Sequence, residues 1–192
     1  MRKAEITLVI LSIFAIAMNL LLVPYASIIT VLTLSALSMI YFYLGIALFN
    51  DIKLKYALKK ASYKFTSTMK IYGGIATGIA LSMTTIGIMF KLQSWPGASF
   101  NLWPGLLGLT IISIIGGIKF MKDRTWFYKR IFVRVAIFGG MGLTFAIISE
   151  RTLLEIKFKN HPEYVEALKK AMDEPNNNEL WEAVEVKRQE MK

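Results

Sequence analysis

From Ile6 to Phe49 the chain runs for 44 residues without a charged side chain. No other feature limits the fold so severely. The hydrocarbon core of a bilayer takes about 20 helical residues to cross, so this run suits two crossings rather than one. Pro24 marks the break, because proline has no backbone donor and disfavours helix in the residue before it. Spans are expected at 6–23 and 26–49, and further apolar runs at 71–90, 102–118 and 131–149 bring the number to five. Hydrocarbon offers backbone groups no partner, so each span has to be a helix. The predicted fold class is an all-α integral membrane protein. A bundle of about five transmembrane helices occupies 1–149, and a short extramembrane helical hairpin occupies 150–192.

Composition agrees. The chain is 55% hydrophobic and 19% charged, against about 45–50% and 25% in soluble domains. It has no cysteine and one histidine, which excludes disulfides, thiolate metal sites, a cysteine nucleophile and imidazole-rich sites. Arg2 and Lys3 begin the chain in the manner of a signal sequence. The apolar run nevertheless continues past Pro24 into a second apolar segment, so a retained signal-anchor is expected rather than a cleaved peptide.

The charges that remain predict an orientation. Lys53, Lys55, Lys59, Lys60, Lys64 and Lys70 fall between spans two and three, against the single acid Asp51. Lys119, Lys122, Arg124, Lys129, Arg130 and Arg134 cluster between spans four and five, against Asp123. The opposite side has no charge in the first hairpin turn and only Lys91 in the second. Short loops rich in lysine and arginine stay inside, which puts the N-terminus in the cytoplasm and the C-terminal tail outside. The tail holds eight basic and ten acidic residues, unlike those loops. The net charge of +10 then reads as loops facing anionic headgroups. Tyr56, Tyr63 and Phe65 read as interfacial anchors at helical spacing, and nucleic acid is set aside as a partner.

Small residues predict how the spans meet. Twelve of thirteen glycines fall within or beside them, and small residues let helices approach closely in lipid. Gly74, Gly78 and Ser82 share one face of the third span, and Gly139 and Gly140, with Gly142, stand on the fifth. They serve packing within the chain or a subunit interface, and internal packing is the simpler use. Thr30, Thr33, Ser35 and Ser38 on the second span, with Thr84 and Thr85 on the third, suit hydrogen bonds between helices or the lining of a polar path.

Chemistry is sparse. No Asp, Glu or His lies within any predicted span, whereas an ionisable group there usually marks a proton or ion pathway. Lys91 and Arg134, at span ends, are expected to snorkel to headgroups, and Asn19 to bond a neighbouring helix. Asp51, Asp123, Glu150 and His161 are the remaining acid/base groups near the bilayer, and they divide between the two sides. His161 reads instead as a helix cap before Pro162 at the first helical position. Tyr164, Val165, Leu168 and Met172 then form an amphipathic stripe. Asn176, Asn177 and Asn178 form a turn and cap before a last helix starting near Glu179, with Trp181, Val184 and Met191 free to meet a membrane surface or partner. No metal site, cofactor or catalytic residue is predicted.

One loop has a distinctive pattern. Gly87, Phe90, Lys91, Trp95, Pro96, Gly97 and Ala98 spell G-x-x-F-K-x-x-x-W-P-G-A, and Trp103, Pro104 and Gly105 repeat the W-P-G triplet at the head of the fourth span. Tryptophan suits the headgroup level, and proline with glycine suits a tight turn. Over about 73–117 the pattern resembles small membrane proteins of the Bacteroidota, among them the gliding-motility and type 9 secretion motor subunit GldL. The resemblance implies an inner-membrane protein associated with a multi-subunit complex. That subunit has two spans, a large cytoplasmic region and a membrane-buried glutamate, so only the hairpin is carried over. The expected function is a non-catalytic scaffold or accessory subunit with a protein partner or a second copy. The alternatives are a channel or transporter, then a lipid-modifying enzyme using His161 or Glu150.

Overall fold

A computed structural model describes residues 1–190 and is helical throughout, with no strand among them. Its contacts separate two units, Met1–Ile147 and Ile148–Lys192. The first contains five helices long and apolar enough to cross a membrane: α1 (Arg2–Leu20), α2 (Ala26–Phe49), α3 (Thr68–Gln93), α4 (Ala98–Lys122) and α5 (Trp126–Ile147). A π-helical turn, Val135–Gly139, interrupts α5. The second unit contains α6 (Glu150–Lys157), α7 (Pro162–Asp173) and α8 (Asn178–Glu190).

α3 and α4 outrun at both ends the apolar stretches that predicted them, α2 matches its stretch, and α1 and α5 begin before theirs and stop short of the expected ends. Helix-terminating geometry sets where they stop. At the end of α3, Ser94 takes the left-handed conformation with φ 56°. Its N–H donates to the Lys91 carbonyl at 3.1 Å, and the Trp95 N–H reaches back to the Phe90 carbonyl at 2.9 Å. These are the two bonds of a Schellman cap, usually built on glycine. The apolar contact that accompanies such a cap is the edge-to-face pair of Phe90 and Trp95, 5.4 Å between ring centres. Leu22, with φ 60°, ends α1 in the same way: Leu22 donates to Asn19 and Val23 to Met18. Asp51, with φ 58°, follows α2, and Ile52 N–H bonds the Ala47 carbonyl at 2.9 Å.

α3 is the axis of the first unit, with α2 and α4 packed along it. Glycines set these approaches. A Cβ on Gly45 would stand 2.9 Å from the Gly78 Cα, and one on Gly78 would strike the Tyr41 carbonyl oxygen. One on Gly74 would stand 3.2 Å from the Ile46 Cα. On the other side of α3, Gly87 faces Leu102 and Gly105 faces Thr84, with Cβ distances of 2.8 and 2.6 Å. On the fifth helix only one of the three expected glycines makes such an approach. Gly139 meets only side chains, at 3.6 Å and beyond, and nothing lies within 4 Å of a Cβ on Gly140. The close approach falls on Gly142, 2.7 Å from the Thr84 methyl.

Outward faces are apolar: Ile10, Phe14, Leu32, Phe42, Leu107 and Ile111 all stand exposed. Between α2 and α3 the chain makes two short 3-10 turns, Leu54–Tyr56 and Lys60–Tyr63, so the aromatics there do not follow helical spacing. The Tyr63 hydroxyl donates to the Ala57 carbonyl at 2.6 Å, and burial raises its pKa above the ordinary tyrosine value. Phe65 is 97% exposed and Leu58 94%.

In the second unit, Ser149 accepts the Thr152 N–H at 3.0 Å and starts α6, a short helix beyond the expected hairpin. α7 and α8 close over Tyr164, Ala171 and Val184, with Leu168 and Leu180 against them. Trp181 donates from its indole to the Pro175 carbonyl at 3.0 Å. Met191, foreseen as a contact of the last helix, lies outside the described residues.

Candidate functional site

Starting α1 at Arg2 rather than Ile6 moves Glu5 inside a membrane-length helix, where it is 2% exposed. An isolated buried carboxylate is costly, so a partner is required. It comes from α5. The Arg134 guanidinium grips Glu5 with both faces of a bidentate fork, Nε to Oε1 and a terminal nitrogen to Oε2. From α2, the Tyr41 hydroxyl donates to the same Oε1 at 3.2 Å. All three side chains are nearly sealed, with Tyr41 at 0% and Arg134 at 9% exposure.

The surroundings complete the guanidinium's contacts. Arg134 donates to the Arg130 carbonyl at 2.8 Å, and its charge lies 5.2 Å from the centre of the Phe49 ring. Phe138 meets Tyr41 edge-to-face at 5.6 Å. One turn earlier on α5, Arg130 pairs with Asp51 at the end of α2 and donates to the Phe49 carbonyl at 3.5 Å. Two acids and two arginines thereby tie α1, α2 and α5 at one end of the bundle. Arg134 immediately precedes the π turn. Such insertions recur at functional sites.

This corrects two sequence expectations. A glutamate does lie within a membrane-length helix, and Arg134 turns inward to it rather than snorkelling. Glu5 was hidden because it stands one residue before the uncharged run. The signal that would have found it is Arg134 itself: an arginine inside an apolar run calls for an acid at the same end of the bundle, and Glu5 and Asp51 meet that description.

The other predicted residues are dispersed. Lys91 is 7% exposed and so is turned inward rather than toward a surface. Trp95 and Trp103 are about half exposed, and Pro96 and Gly97 form the exposed turn before α4, with Gly97 at φ 86°. Pro104 lies in the second turn of α4, not at its head, because the helix already begins at Ala98. The F-K-x-x-x-W spacing is thus the spacing of a helix cap. Ser82 and Ser38 hydroxyls meet at 2.8 Å between α3 and α2. Thr30, Thr84 and Thr85 donate to carbonyls of their own helices at 2.7–2.8 Å, and Thr30 is also 3.0 Å from the Ala15 carbonyl of α1. Asn19 helps end α1, its backbone carbonyl accepting from Leu22.

His161 precedes Pro162 as the cap residue of α7, without a capping side-chain bond. In the same unit Lys187 donates to Glu163 at 2.7 Å and Glu190 at 2.9 Å. The ammonium beside it holds the Glu163 carboxyl below its usual range, and the two carboxylates raise the lysine. Among the described residues no three His, Cys, Asp or Glu side chains gather as a metal site. No protein-family model, curated protein or solved structure matches the chain.

Proposed function

We propose that the chain is a five-span inner-membrane protein that acts as a non-catalytic scaffold or accessory subunit. The N-terminus and the two lysine-rich connections face the cytoplasm in this reading, and residues beyond Ile147 lie outside. One observation carries it: apart from the buried Ser12 and Thr125 hydroxyls and Arg130 Nε, which have no partner, the polar groups inside the bundle are closed on one another. Glu5, Arg134 and Tyr41 satisfy each other, and the Ser38–Ser82 pair and the threonine hydroxyls hold backbone or hydroxyl partners. Such a bundle is built to hold its shape, and its outward apolar faces suit lipid or another membrane helix. The hydroxyls of α2 and α3 were the residues foreseen as lining a channel, and their closure favours the scaffold over that alternative.

The exposed hairpin at Trp95 and Trp103 is the proposed contact for a protein partner, and its likeness to the gliding and secretion family makes a motor or secretion assembly the first place to look. Photo-crosslinkers at Trp95 and Trp103 in living cells, read by mass spectrometry, test this. One defined membrane partner, or a second copy, captured from both positions supports the scaffold. Capture of lipid alone, or ion or solute flux through the purified protein in liposomes, overturns it.

A further inference from the structure

Between α1 and α5 lies a groove of about 390 Å³ on the outside of the bundle. Its chemistry changes along its length. Ile6, Ile10 and Ile13 recur on one face of α1, and Val133 and Ile137 stand four apart on α5. Toward the end where both helices begin, the lining changes to Arg2, Trp126, Lys129 and Arg130. Glu5 and Arg134 form the floor between the two regions, closed on each other.

Four of the lining side chains are cationic and one is anionic. The Arg134 charge is answered by Glu5 and the Arg130 charge by Asp51. Arg2 and Lys129 remain, both exposed, and neither forms an ion pair among the described residues. Lys129 lies 4.8 Å from the Trp126 ring centre, and Arg130 keeps a buried Nε with no hydrogen-bond partner. From Arg2 to Ile13 the α1 axis rises about 16 Å, and one leaflet of hydrocarbon is about 15 Å deep. A cationic rim with an aromatic ring, above an apolar slot one leaflet deep, complements an amphiphile with an anionic head.

We propose that this groove holds one anionic phospholipid from the leaflet in which α1 and α5 begin. Its phosphate sits on Arg2 and Lys129, and one acyl chain lies along Ile6, Ile10 and Ile13. The site rests on the bilayer reading above. Its test is the full chain in nanodiscs containing equal phosphatidylglycerol and phosphatidylcholine, released and weighed by native mass spectrometry. The intact protein should retain one phosphatidylglycerol in preference to phosphatidylcholine. Each basic group near an anionic headgroup is worth roughly fivefold, so R2Q/K129Q should lose about thirtyfold of that preference. Ile10→Trp, which fills the slot and keeps both charges, should lose the bound lipid, whereas Leu107→Trp on the outer face of α4 should keep it. Equal retention of the two lipids, or a preference that survives both R2Q/K129Q and Ile10→Trp, overturns the site and leaves the membrane reading standing. Failure of the chain to enter nanodiscs overturns both.

Discussion

An arginine inside an apolar helix has two outlets, a polar boundary or an acid, and Arg134 takes the second. The difference matters energetically. A buried pair contributes little net stability compared with apolar residues, yet removing one partner leaves a naked charge at about 3–5 kcal/mol. Arg134→Met should therefore strip Glu5 of its fork and lower the stability of the bundle by about 3–5 kcal/mol, read as a fall in melting temperature in detergent. Replacing both, as E5M/R134M, should recover most of the loss. A double variant as unstable as the sum of the single ones would show that the pair is not coupled. The pair was not legible in the sequence because hydropathy treats a span as a run of side chains and discards its flanks. Glu5 is one residue outside that run, and 129 positions separate it from its partner. Asp51 and Arg130, likewise counted as loop charges, are also paired.

Helices are where sequence reasoning reached furthest, because an uncharged run of this length has few other solutions. Their limits were less visible. The fourth apolar run, 102–118, became Ala98–Lys122, since termination follows backbone geometry and the flanking polar residues still suit helix. Ser94, Leu22 and Asp51 supply left-handed ends without the glycine that usually advertises them. α6 escaped notice because eight residues make only about two turns, too few for an amphipathic pattern to be told from a loop. Glycine alone does not reveal which positions matter, since Gly78 and Gly140 are equally conspicuous in sequence and opposite in surroundings. Gly78→Ala should drive a methyl into the Tyr41 carbonyl and destabilise the α2–α3 contact by about 1–3 kcal/mol. Gly140→Ala meets open space and should be neutral or stabilising by up to about 1 kcal/mol, because alanine restricts the unfolded chain and favours helix. Thermal melts of the two variants in one detergent separate these outcomes, and equal effects would mean that the glycines do not set the approach.

In the first unit, five helices joined by short connections, and by one longer connection over 50–67, send alternate helix ends to opposite sides. The Glu5–Arg134 and Arg130–Asp51 bonds gather the start of α1, the end of α2 and the start of α5 at one end. The lysine-rich connection between α2 and α3 leaves from that same end, so the basic residues that predict an orientation and the ion pairs of the interior share one end of the bundle. The absence of cysteine makes that face directly measurable, because an introduced thiol is the only one to react. In cells with a permeabilised outer membrane, Ser99→Cys, exposed after the α3–α4 turn, should label with a membrane-impermeant maleimide. Lys60→Cys, exposed between α2 and α3, should label only after lysis, and Glu179→Cys in the second unit should behave like Ser99→Cys. Labelling of Lys60→Cys in intact spheroplasts would invert the molecule and move the cationic rim of the groove to the outer leaflet. Equal labelling of all three before lysis would remove the bilayer from between them.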